Sequence, residues 1–378
     1  MRPDYAGGSL VNLVATLVAA RGGKALHEPL RDFTLDSGVR NLVLLIIDGL
    51  GDNYLARHGA GSELARRRRR ALTSVFPSTT ASAITTSYTG RTPLEHGLTG
   101  WFVYFGAAGC VSAALPYRSR GDMASLTARG VDAERLYDTP PLFGSLAVKS
   151  IVVTSREIVD SQYNRVLCQG AERLAYSNAD EFVAQLERAV KSGPERKFIY
   201  AYWPHYDAVS HRHGCESVEA AKQFAIVDDA FGQLLRRLAG TETTIVATAD
   251  HGFIDVAPEE LLELPAELAP LLRFPLCGER RIAYCHVHAP AEFARRAQDW
   301  LEERAEVMPS ERLVQEGWLG PGAPHPFLHE RIGDVALMMR GRYTVKDWTP
   351  GEPRWLHIGN HGGTHEDEMM IPLIVENA

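Results

Sequence analysis

Residues 42–51 read LVLLIIDGLG: six apolar residues that stop on Asp48, with Gly49 and Gly51 close behind. A run of Leu, Val and Ile this short, flanked by turn residues, is a buried strand. Its end admits two explanations. Asp-Gly closes turns, and turns follow strands. Alternatively, Asp48 is a ligand at the carboxyl end of a parallel sheet, where open α/β folds keep their chemistry. The remaining sequence decides between them.

Moving outward, short β-rich runs alternate with helical stretches. SELARRRRR reads as a helix, ALTSVFPS as a short strand, and TTASAITTSYTG as a helix ended by Gly90. SIVVTS (150–155) is a strand, followed by the helix ADEFVAQLERAVKSG, ended by Gly193. KFIYAYW (197–203), the helix EAAKQFAIVDDAFGQLLRRLAG and the strand TTIVATADHG (243–252) complete the pattern. Such alternation predicts an α/β fold, a doubly wound, mostly parallel sheet with helices on both faces. After residue 255 the chain turns rich in Pro, Leu and Glu, then gives RIAYCHVH, APAEFARRAQDWLEERA and EVMPSERLVQEG. That β-α-β-like unit predicts a small inserted α+β cap over 258–330, with 1–257 and 331–378 forming the core; RIGDVALMMRG is expected back in that core.

The composition is that of an ordinary globular chain, 45% hydrophobic and 23% charged over 378 residues. A net charge of −7 disfavours a stable nucleic-acid complex, which wants a basic face. The arginine run 66–70 is therefore read as a solvated helix end rather than a nucleic-acid patch. The five cysteines, Cys110, Cys168, Cys215, Cys277 and Cys285, form no CxxC and fit a reducing compartment. SLVNLVATLVAARGG reads as an amphipathic first helix capped by Ser9 rather than a signal peptide, and no run has the roughly 20 apolar residues of a membrane span. A cytoplasmic protein is expected.

Three strands end on metal-ligand residue types: the first on Asp48, the second on PHYDAVSHRHG with Asp207 and His211 four apart, and the third on Asp250-His251. Near the C-terminus, GNHGGTHEDEMMIPLIV adds His361 in a glycine-rich loop. Each piece alone has a plain explanation as a cap, a turn or a surface histidine. Together they supply three Asp and three His expected on one sheet edge, enough for two divalent ions, with zinc or manganese suited to mixed carboxylate and imidazole donors. His205, His213, His357 and His365 rank lower. Between the first two ligand strands, FPSTTASAITTSYTG places Thr79 and Thr80 where a loop enters a helix, a position that favours a phosphate-like anion. A metal-activated threonine there is a candidate nucleophile, and N-capping by Ser78 or Thr79 is compatible with that role for Thr80.

The order Asp48, FPSTT, Asp-xxx-His, ADHG and HGG resembles the alkaline phosphatase superfamily, and within it the type I phosphodiesterase/nucleotide pyrophosphatase family. The family's Phe-Pro-Thr-x-Thr nucleophile motif stands here as Phe76-Pro77-Ser78-Thr79-Thr80, and YTGRTPLEHGL resembles a second family stretch. The resemblance spans roughly 40–255 and 355–375. It implies an alkaline-phosphatase-like core in which Asp48, Asp250 and His251 hold one zinc beside Thr80, itself both nucleophile and ligand. Asp207, His211 and His361 hold the second. It further implies cleavage of a small-molecule phosphodiester or nucleotide pyrophosphate through a covalent phospho-threonine. Two departures bear on the substrate. Ala81 stands where nucleotide-cleaving members carry an aromatic, and Gly100-Trp101 stand where they carry an asparagine that holds a phosphoryl oxygen. A phosphomonoesterase or phosphonate hydrolase on the same fold is the nearest rival, and a metal-dependent binding protein the non-enzymatic one.

Overall fold

In the computed structural model, which describes residues 1–352, 354 and 357–378, the opening stretch is the strand Asn41–Ile47, buried at every position. It lies at the centre of a seven-stranded sheet. Reading across, the order is Arg68–Thr73, Met370–Asn377, Thr243–Thr248, Asn41–Ile47, Lys197–Trp203, Lys149–Ser155 and Ala171–Tyr176. The last five are mutually parallel. Met370–Asn377 runs against both of its neighbours. The central strands are apolar on both faces because helix layers cover both. Helix Ala179–Lys191 packs against Val218–Leu238 in one layer, and Leu10–Ala20 against Thr80–Thr89 in the other. The alternation of runs thus does give a doubly wound, mostly parallel sheet.

Three local expectations need correction. The arginine run is not one helix end: the helix is Glu63–Arg66, and Arg68–Thr73 is an edge strand. Charge on an edge strand discourages pairing with another chain, and these arginines are engaged, Arg68 with Asp52 at 2.5 Å and Arg67 with Glu376 at 2.8 Å. The first helix has no polar stripe to present, since Leu10 to Val18 are all buried; Asn12 and Thr16 are satisfied inside by Glu28 O and Asn12 O. The third correction concerns the cap. A second seven-stranded sheet, antiparallel throughout, runs in the order 305–309, 335–339, 282–285, 277–278, 102–105, 110–113 and 118–119. It draws on two separate stretches of chain, so the 258–330 boundaries are too narrow. Val335–Met339, expected in the core, instead lies between Ile282–Cys285 and Ala305–Pro309, and Phe102–Phe105 is a strand of this same sheet. Its apolar runs match those of a central strand, so hydrophobicity alone could not assign them to one sheet or the other.

Helix Pro290–Leu301 covers the far face of the second sheet through Phe293, Ala297 and Leu301, all fully buried. Among the described residues no helix is long and apolar enough to cross a membrane.

Candidate active site

Every parallel strand that ends at the site delivers its candidate ligand past its last residue. Asp48 follows Ile47, Asp250 and His251 follow Thr248, and Asp207 lies in the first turn of helix His205–His213, which follows Trp203. The glycines explain why these loops can converge. Gly49 has φ +77°, and a Cβ there would lie 2.4 Å from Phe253. A Cβ on Gly252 would meet Asp367 O at 2.0 Å, and the Gly51 and Gly252 backbones pack directly on each other. The Asp-Gly and His-Gly pairs therefore make turns and also let two ligand loops touch.

The six residues form two groups, Asp48 with Asp250 and His251, and Asp207 with His211 and His361, the donor atoms within each lying within 4.8 Å of one another. His251 Nε2 is 3.3 Å from Asp48 Oδ1, 3.5 Å from Asp250 Oδ2 and 4.0 Å from Asp207 Oδ1, so the groups share a border. In the second, Asp207 Oδ1 is 3.4 Å from His211 Nε2 and 3.7 Å from His361 Nε2.

Hydrogen bonding shows what these atoms lack. Each imidazole turns Nδ1 to a backbone carbonyl: His211 to Gly359 O (2.9 Å), His251 to Gly252 O (3.1 Å) and His361 to Ser78 O (3.3 Å). A carbonyl only accepts, so the proton belongs on Nδ1 and the Nε2 lone pair faces the site. Opposite those lone pairs, Asp48 Oδ1, Asp207 Oδ1 and Asp250 Oδ2 are buried without a donor. His211 Nε2 and His361 Nε2 face each other at 3.1 Å. Lone pairs and carboxylate oxygens converging without protons are a cation cage. Electrostatics agree. Burial pushes the Asp48 carboxyl up to about 6, and burial together with neighbouring carboxylates pushes Asp207 and Asp250 well above the usual range. Burial holds His211 down to about 4 and His361 well below its ordinary value. The donor set fits two divalent ions.

Thr80 opens helix Thr80–Thr89, and its Oγ1 lies 3.1 Å from His251 Nε2. Ser78 Oγ donates to Gly363 O at 2.8 Å, pinning the loop before Thr80 to the HGG loop. Thr79, not Ser78, is the N-cap residue.

Residues 42–364 match the model of the type I phosphodiesterase / nucleotide pyrophosphatase family. The chain belongs to that family. It is accordingly a hydrolase of phosphoester bonds, in a family that depends on divalent ions, and it carries two candidate groups of metal ligands. Solved structures share the fold. Murine ectonucleotide pyrophosphatase/phosphodiesterase 5 is 15% identical with a TM-score of 0.66, over 88% of this chain and 87% of its own. Phosphonoacetate hydrolase from Sinorhizobium meliloti 1021, bound to phosphonoformate, is 16% identical with a TM-score of 0.65, over 89% and 90%. No curated protein matches the chain by sequence.

Of the lower-ranked histidines, His357 lies beside the site, its ring 4.5 Å from that of His211. His205 packs on Trp203, and His365 caps helix Glu366–Met369.

Several residues that support this phosphodiesterase-family site carry little or no sequence signal. Tyr202 OH donates to Asp48 Oδ2. Phe253 lies against all three imidazoles, with ring centroids 5.0–5.5 Å away; its position directly after Asp-His-Gly is the only hint. Arg281 and Glu368, both fully buried, pair at 2.9 Å, and Glu368 Oε1 accepts the Gly363 N–H at 2.8 Å, which braces the loop carrying His361. From the second sheet, Glu279 reaches in: its Oε1 accepts Thr79 Oγ1–H at 2.6 Å and Trp101 N–H at 2.7 Å. Burial raises its carboxyl to about 7.

Proposed function

We infer that the chain hydrolyses phosphodiester bonds of small molecules with Thr80 as nucleophile and two divalent ions held by Asp48, Asp250, His251 and by Asp207, His211, His361. The observation that carries this reading is the position of Thr80 Oγ1, on a helix N-terminus and 3.1 Å from Nε2 of His251, the imidazole that borders both candidate ligand groups. When bound, the ions supply Lewis acidity, lowering the hydroxyl pKa and offsetting phosphoryl charge. Zinc suits three imidazoles with three carboxylates, and manganese is accommodated by the same donors.

The chain's own part is positioning. The first-turn N–H groups of helix Thr80–Thr89 face an incoming anion. Thr80 Oγ attacks phosphorus as the P–O bond to the leaving alcohol breaks on the opposite side, leaving the phosphoryl group and its remaining alcohol esterified to Thr80. Water then attacks the same phosphorus, the bond to Thr80 breaks, and the threonine hydroxyl is restored. Support comes from a structure of similar fold, the inactive threonine-to-alanine variant of murine ectonucleotide pyrophosphatase/phosphodiesterase 5 in complex with AMP.

A phosphonate substrate is the second reading. Ala81, fully buried, puts no ring beside the nucleophile to stack on a base. Zinc- and manganese-loaded protein should be compared on bis-p-nitrophenyl phosphate, p-nitrophenyl phosphate, the thymidine 5′-ester of p-nitrophenyl phosphate, and phosphonoacetate. Diesters are expected to have the highest kcat/KM. A monoester preference of tenfold or more makes the enzyme a phosphatase, and turnover of phosphonoacetate alone makes it a phosphonate hydrolase.

A further inference from the structure

We propose that Glu279 is a specificity-determining residue: its carboxylate, delivered by the second sheet to the rim of the phosphoryl site, selects singly charged diesters against doubly charged monoesters. The inference rests on the phosphodiesterase reading above and names the feature that enforces it.

The placement is built rather than incidental. Glu279 lies in the tight connection between the strands Cys277–Gly278 and Ile282–Cys285. Its own N–H donates to Ile282 O at 2.8 Å, which fixes the turn. The approach is close on both sides. A Cβ on Gly100 would sit 2.6 Å from Gly278 Cα, and one on Gly362, next to His361, would sit 2.7 Å from Glu279 Cβ. Two glycines thus make room for this strand end beside the ligands.

What arrives there is an acceptor. Glu279 Oε1 accepts hydrogen bonds from the hydroxyl of Thr79, the residue before the proposed nucleophile, and from the backbone N–H of Trp101. Gly100-Trp101 stand where the family resemblance places an asparagine donor for a phosphoryl oxygen. In this chain the N–H of that stretch is consumed by a carboxylate, so the rim presents the Glu279 carboxylate, beside Arg280, in place of a free donor. The field of Glu279 reaches the site, where it adds to the charge that raises the Asp207 carboxyl.

A diester phosphoryl group carries one negative charge, and a monoester carries close to two above its second pKa of about 6. Both are drawn to the cations, but the monoester brings an additional charge against a fixed, partly desolvated carboxylate. At an effective dielectric of about 20, Coulomb repulsion between like charges within about 10 Å of each other costs on the order of tenfold or more in binding.

Glu279→Gln is the direct test, because the amide oxygen can still accept from Thr79 and Trp101 while the charge is gone. Zinc-loaded parent and variant are assayed near pH 9 on bis-p-nitrophenyl phosphate and p-nitrophenyl phosphate, with zinc content measured on both. The ratio of diester to monoester kcat/KM is expected to fall by about tenfold in the variant, through a rise in the monoester value, at unchanged zinc content. Glu279→Ala, which also removes both hydrogen bonds, should shift the ratio in the same direction on a lower overall rate. A merely structural role would change both substrates by one factor, and that result overturns the proposal. A parent with no diester preference instead refutes the phosphodiesterase reading beneath it. A parent preference retained in both variants refutes only the role of Glu279.

Discussion

Replacing Arg281 with methionine should destabilise the protein out of proportion to the area lost. The Arg281 and Glu368 side chains are 1% and 0% exposed, and the guanidinium reaches Glu368 Oε1 at 3.1 Å and Oε2 at 2.9 Å. Removing one partner of such a pair strands the other charge, at a cost of about 3–5 kcal/mol. An unfolding entropy of about 2.1 cal/mol/K per residue over 378 residues gives roughly 0.8 kcal/mol/K. The melting temperature should therefore fall by about 4–6 °C. The assay is thermal unfolding of chelator-treated protein, so that loss of bound metal contributes nothing. Adding Glu368→Gln to Arg281→Met removes the stranded charge while keeping an acceptor for Gly363 N–H, so the double variant should recover part of the loss. A cost below about 1 kcal/mol for Arg281→Met, or strictly additive effects in the double variant, would refute the reasoning.

Three further outcomes follow from the same geometry. Tyr202→Phe removes the donor to Asp48 Oδ2 and should weaken zinc binding about 10- to 100-fold in competition titrations; unchanged affinity would show that the hydroxyl does not orient the ligand. Gly252→Ala drives a Cβ to 2.0 Å from Asp367 O and should cost about 1–3 kcal/mol with loss of metal; normal zinc content and melting would contradict the packing argument. The metal-free protein should become more stable as pH falls from 8 towards 6. Asp48 (about 6), Asp207 and Asp250 are raised by burial in the fold, so the penalty of burying them ionised disappears as they protonate. Below the unfolded histidine value of about 6.5, His211 and His361, both depressed by burial, begin to oppose that gain. A metal-free melting temperature that falls steadily from pH 8 to 6 would contradict this assignment.

The parallel sheet and the clustering of the candidate ligands were legible because both leave local traces. A strand buried on both faces must be continuously apolar, and a ligand at its carboxyl end interrupts that run with Asp or His, as at Asp48 and Asp250-His251. Thr80 was visible through the loop-to-helix composition around it. The second sheet was not legible in full, because antiparallel strands from residues 102–119 and 277–339 are joined by long-range pairing that no local pattern encodes. Arg68 to Arg70 misled because a charged edge strand and a charged helix end have the same composition. Glu279, Arg281 and Glu368 were invisible for a related reason: an acidic or basic residue in a polar stretch is ordinarily solvated, and only the meeting of the two sheets buries these.

The central claim is that Thr80 performs the chemistry while the Asp and His residues hold the ions. The measurement that tests it most directly is zinc content and diester turnover determined together on Thr80→Ala. The account predicts that most of the zinc remains, since six other ligands are intact, while kcat falls by several orders of magnitude because no activated alcohol attacks phosphorus. A Thr80→Ala protein that keeps its zinc and turns over at near-parental rate would contradict it and put the attack on water alone.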